Sequence, residues 1–146
     1  TGTADRIERR EGGIAILDFK SGKPPTEKQV RSGLSPQMPL QGLIARRGGY
    51  DSIGEAEVEA LTYVRFGTAF EVQELGTGNS RAKLEPQSVK EMIDEAEAGL
   101  IRLLTQFADP EHPYLSAPRP ERVIYESDYT RLARRDEWTG LDTFDD

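Results

Sequence analysis

The chain has 146 residues, 36% of them hydrophobic and 31% charged, with a formal net charge of −7, no cysteine and a single histidine, His112. That length suits one domain, residues 1–146, with a modest core, and no apolar run approaches the roughly 20 residues of a membrane helix. Without cysteine there is no disulfide, thiolate zinc site or iron–sulfur cluster, and one histidine cannot build a His-rich site or a His-based triad, so any metal must be hard and oxygen-bound.

Charge is unevenly distributed. Residues 1–50 hold nine Lys and Arg against five Asp and Glu, whereas residues 51–146 hold ten against twenty-one. The acidic total argues against a nucleic-acid partner, but the basic N-terminal part restores a local attraction for a phosphate backbone. The chain opens on Thr and enters a strand almost at once, with no signal peptide, so it reads as a fragment of a cytoplasmic protein.

Two β-prone runs, residues 3–10 and 14–20, flank Gly12 and Gly13, a pair that tolerates positive φ and marks a hairpin. With the glycines as a two-residue loop, Glu11 pairs with Ile14, Ile7 with Asp18 and Asp5 with Lys20. Period 2 then places Asp5, Asp18 and Lys20 on one face beside Ile7, Ile14 and Ile16.

Ser21 to Pro25 is rich in breakers, after which Thr26 caps a short helix through about Arg31 that ends at Gly33. Ser35-Pro36 opens a second helix to about Arg47, with Leu40, Leu43 and Ile44 as its apolar stripe and Gln37 and Gln41 one turn apart on a shared face. Strands are expected at 57–66 and, more weakly, 69–75. The helix at 86–108 has apolar residues every three or four positions from Val89 to Phe107, with Ser88 and Glu91 at capping-box spacing; it is assigned to the core, packed on the sheet. Residues 109–146 read as an extended, proline-rich segment with a short strand at 123–125, a short helix at 128–138 and an acidic tail. His112 is expected in an exposed loop, and Tyr114, Tyr125, Tyr129 and Trp138 as pins for this segment. Arg46, Arg47, Arg119, Arg134 and Arg135 are solvated charge or phosphate contacts.

The chemistry concentrates in residues 1–20. Hydrolysing a phosphodiester calls for a divalent ion held by carboxylates, and a nearby ammonium can stabilise the phosphorus centre. Asp5 and Asp18 suit the metal, with the Phe19 carbonyl as a further oxygen, and Lys20 suits the phosphate. By spacing alone the pattern is better served by a surface salt bridge between Asp5 and Lys20 worth about 0–1 kcal/mol. The apolar run Ile14-Ala15-Ile16-Leu17 favours the site, because a buried strand leading into charges requires a partner or an ion for them.

GTADRIE, IAILDFKSG and SPQMPL, in that order, resemble the PD-(D/E)XK nucleases of the RecB-like branch. YLSAPRPERV and DYTRLARRDEW are similar to the C-terminal end of the AddB family, nuclease subunits of AddAB helicase-nucleases. The resemblance implies a restriction-endonuclease-like α/β fold: a mixed sheet of about four strands opened by the hairpin and flanked by helices. It implies a Mg²⁺-dependent DNA exonuclease acting on the 5′-ended strand in double-strand break repair, with Mn²⁺ as a possible substitute and an AddA-like partner. Asp5, Asp18, Lys20 and Gln37 take the catalytic positions, with Asp5, Asp18 and Phe19 at the metal and Gln37 orienting the lysine, water or scissile strand. Arg6, Lys23, Lys28 and Arg31 are candidate DNA contacts. Three departures stand out. Gln41 replaces a tyrosine common in the branch, the cysteines of an iron–sulfur staple are absent, and no counterpart of the upstream helix that adds a metal ligand precedes Thr1. The isolated chain is therefore expected to bind metal weakly and cleave little. Another RecB-like nuclease, or a non-catalytic module that grips DNA or a partner, are the alternatives.

Overall fold

A computed structural model describes residues 2–67, 69–115 and 132. The elements expected at 123–125, 128–138 and 139–146, and Arg119, Tyr125, Tyr129, Arg134, Arg135 and Trp138, lie outside these. The chain divides into two compact units, Thr1–Leu104 and Thr105–Asp146.

The first unit is built on a mixed sheet of four strands in the order β1-β2-β3-β4: Arg6–Arg9, Ile14–Lys20, Val58–Phe66 and Phe70–Glu74. β1 and β4 run antiparallel to their neighbours, and β2 and β3 are parallel. The crossover from β2 to β3 carries helices α1 (Glu27–Arg31) and α2 (Gln37–Arg46), and α3 (Val89–Ala108) follows β4. This is the expected fold class.

The hairpin forms with a different register. Ile7 faces Ile16 and Arg9 faces Ile14, and the loop over residues 10–13 is closed by Arg10 N–H donating to the Gly13 carbonyl at 2.8 Å. Ile7 therefore does not pair with Asp18, nor Asp5 with Lys20. The slip of two residues keeps every side chain on its expected face, because the side-chain period is also two. Neither Gly12 nor Gly13 has positive φ. Gly13 is there for space: a Cβ on it would sit 2.3 Å from the Glu57 carbonyl oxygen, where the loop passes the entry to β3.

β3 lies between β2 and β4 and buries residues from both faces, as a central strand beside a parallel neighbour does; Ala60, Leu61, Thr62, Tyr63 and Val64 are all buried. On one face Ile14, Ile16, Leu61 and Tyr63 join Leu75 just beyond β4, Val30 of α1, Met38 and Ala45 of α2, and Met92 and Ile93 of α3 in a single core. On the other face, Phe19, Phe66 and Phe70 form an exposed row with ring centroids 5.6 Å apart.

Local signals placed the helices well. Thr26 and Gln29 make a reciprocal capping box at α1, and Ser88 and Glu91 make one ahead of α3. At α2 the cap position is Pro36, without a side-chain bond, and not Ser35. Gly42 lets α3 approach α2: a Cβ there would meet Ile93 Cδ1 at 2.7 Å. Just past that contact, Arg46 of α2 bonds Asp94 at 2.5 Å and Glu97 at 2.9 Å. α3 departs from expectation beyond this point. Met92 and Ile93 are buried, but Leu100, Leu103, Leu104 and Phe107 are between 37% and 63% exposed. Its 20 residues span about 30 Å, twice the length of ten-residue α2, so the stripe outruns its partner. In the second unit Phe107 stacks on Tyr114 at 4.9 Å, and His112, half-buried instead of exposed, lies 2.8 Å from Gln106 Nε2.

Candidate active site

β2 is apolar through Leu17 and then places Asp18 and Lys20 on the core face, at the end of the strand nearest the start of α2. Asp18 is 2% exposed. Gln37, in the first turn of α2, donates from Nε2 to Asp18 Oδ1 at 2.6 Å and accepts from Lys20 Nζ at 3.1 Å. One amide thus holds both charged groups. Lys20 Nζ is also 2.7 Å from Asp18 Oδ2, an ion pair, and this buried oxygen has no hydrogen-bond partner besides it among the described residues.

Tyr63 forms the floor. It is the register partner of Asp18 on β3 and is fully buried, with Lys20 Nζ 5.7 Å from its ring centroid, a cation–π distance. Its hydroxyl has no partner. Burial, and secondly the Asp18 charge, push its phenol up to about 12, so it is a neutral, weakly polar support for the lysine.

Asp5 lies just before β1 and is exposed, its Oδ2 accepting the Phe19 N–H at 2.9 Å. The observed register, extended one step past β1, sets it opposite Asp18 and not Lys20. Its carboxylate is therefore anchored to the backbone between Asp18 and Lys20.

The expected cluster of Asp18, Lys20 and Gln37 is thus hydrogen-bonded together, with Asp5 joined through Phe19. The basic residues differ among themselves. Lys23 and Lys28 are exposed, Arg6 pairs with Glu8 at 2.8 Å, and Arg31 is held by buried Glu27. Arg46, expected as solvated charge or a phosphate contact, is instead largely buried against carboxylates of α3, whereas Arg47 stays mostly exposed while pairing with Glu97 at 2.6 Å. Two participants were missed. Tyr63 is found only through strand pairing, and Gln41 was visible as a face-mate of Gln37 without a role.

The donors suit a hard divalent cation: two carboxylates, one with a buried oxygen that has only the Lys20 ammonium beside it, and the Phe19 carbonyl between Asp18 and Lys20 in the chain. Among the described residues no group of three or more His, Cys, Asp or Glu forms a metal cluster, and no helix is long and apolar enough to cross a membrane.

The profile of the PD-(D/E)XK nuclease superfamily matches residues 1–119. An uncharacterized protein of Rickettsia typhi is 38% identical over 69 residues, 45% of this chain and 8% of its own length. Uncharacterized proteins of Rickettsia conorii and Rickettsia felis are 44% and 43% identical over 50 and 51 residues, each 34% of this chain and 6% of the relative. The chain therefore spans less than a tenth of these relatives. No solved structure matches. With its Asp18-x-Lys20 strand end held by Gln37 and the profile covering most of its length, the chain belongs to the PD-(D/E)XK nuclease superfamily.

Proposed function

We propose that this chain is the nuclease module of an AddB-like subunit. It would be a Mg²⁺-dependent deoxyribonuclease, with Mn²⁺ able to substitute, that removes nucleotides from the 5′-ended strand in double-strand break repair beside an AddA-like partner in the cytoplasm. The observation that carries the nuclease reading is the buried Asp18 held by Gln37 and Lys20, with one oxygen having no hydrogen-bond partner besides the lysine among the described residues.

Asp5, Asp18 and the Phe19 carbonyl would hold the ion. A bound divalent cation neutralises charge on the phosphate and acidifies water. The chain's own groups do the positioning. Gln37 fixes Lys20 by accepting from Nζ, and the Tyr63 ring supports the ammonium from below, so a positive charge is pre-organised where a phosphate oxygen would bear charge. The Phe19 N–H orients Asp5. The 5′ polarity, the repair role and the AddA-like partner rest on the resemblance of the quoted motifs.

Asp18→Asn tests the reading. Because the chain by itself is expected to cleave little, the readout is metal: Mg²⁺ binding, and whatever digestion of linear DNA accompanies it, should be lost while DNA binding, followed by fluorescence anisotropy, survives. DNA binding that is unchanged by metal in both proteins, with no metal bound by either, would favour the non-catalytic module.

A further inference from the structure

Helix α2 presents Gln37 and Gln41 one turn apart on one face. Gln37 engages β2. Gln41, 5% exposed, donates from Nε2 to the Thr3 carbonyl at 2.6 Å, two residues before Asp5. Residues 2–5 precede β1 and lie outside the ladder. Gly2 lies against the same helix, since a Cβ on it would be 2.7 Å from Ile44 Cδ1. Apart from the Phe19 bond, no hydrogen bond or ion pair to Asp5 is found among the described residues. Its position is therefore set on one side by β1 and the Phe19 N–H and on the other by where α2 holds Thr3.

We infer that Gln41 is a positioning residue: its bond to the Thr3 carbonyl sets Asp5 against Asp18, so that one face of α2 registers both carboxylate-bearing strands for a shared divalent cation. The inference rests on the nuclease reading above for the cation, and on geometry alone for the fastening. A purely structural glutamine is a poor explanation. Its Oε1 is buried without a partner, a penalty that methionine or leucine of similar size would avoid. What the amide adds, and an apolar side chain cannot, is a directed donor to one carbonyl.

Amide exchange on isotopically labelled chain, with Gln41→Met and the shorter Gln41→Asn, tests it. In metal-free Gln41→Met the Phe19 amide, which donates to Asp5, should exchange about tenfold faster. The Ile14 amide, bonded to Glu57, and the Leu75 amide, bonded to Leu61, should keep their protection. Gln41→Asn should behave likewise, being too short to reach Thr3. Unchanged Phe19 exchange overturns the inference, and so does equal acceleration at Ile14 and Leu75, which is loss of stability and not of position. Calorimetric titration with Mn²⁺ should give a lower affinity for Gln41→Met than for the unmodified chain; equal affinities contradict the shared-cation role. If the unmodified chain binds no Mn²⁺, the metal-site reading fails, whereas the metal-free exchange still decides the fastening.

Discussion

Two carboxylates are buried among the described residues, and the fold treats them differently. Glu27 in α1 accepts from the Arg31 guanidinium and, at 3.0 Å, from the Gly76 N–H at the end of β4, both on Oε1. Its neighbours are fixed donors belonging to the scaffold, and the pair ties the crossover helix to the far edge of the sheet. Asp18 has one oxygen bound by Gln37, while the other has only the Lys20 ammonium beside it. A buried carboxylate matched by aligned donors serves stability. One left short of a donor beside a lysine is better suited to a ligand.

Substitutions should separate the two sites. Lys20→Ala removes the charge aimed at the phosphate, so turnover of linear DNA at saturating Mg²⁺ by the full-length protein, counted per folded molecule, should fall by about 10²–10³-fold. Glu27→Ala leaves the Arg31 guanidinium partly buried and unpaired and the Gly76 N–H without its acceptor. Urea unfolding should show a loss of about 3–5 kcal/mol, with cleavage per folded molecule unchanged. An inert Lys20 substitution, or a mild Glu27 one, would erase the contrast.

Tyr63 gives a smaller, pH-dependent effect. Because its phenol is held at about 12 in the fold against an unfolded value near 10, its contribution is complete below pH ~10 and is lost as pH rises towards 12. Tyr63→Phe keeps the ring under Lys20 and removes the unpartnered hydroxyl. Thermal melts should show it matching or exceeding the parent near neutrality and losing less stability above pH 10. Identical alkaline profiles would place the titrating group elsewhere.

Much of this was legible in the sequence because it depends on local chemistry. Period 2 placed Asp18 and Lys20 on one face, and the Thr26 and Ser88 caps placed the starts of α1 and α3. Long-range pairing was not legible. The Gly12-Gly13 signal gave a hairpin but the wrong register, since Gly13 is required by its approach to Glu57 and not by φ. Arg46 looks like solvated charge until α3 brings Asp94 and Glu97 beside it. Tyr63 reads as one residue of an alternating strand until the parallel register sets it beside Asp18. The apolar period of α3 was correctly read, but period alone does not say how much of a stripe is covered.

The most direct test is Mn²⁺ binding by calorimetry to the unmodified chain and to Asp18→Asn, with urea unfolding of both. The account predicts weak but saturable binding to the unmodified chain and an affinity at least about tenfold lower in Asp18→Asn, without loss of folding stability. Equal affinities, or an Asp18→Asn chain destabilised as severely as Glu27→Ala, would make Asp18 a second structural carboxylate and contradict it.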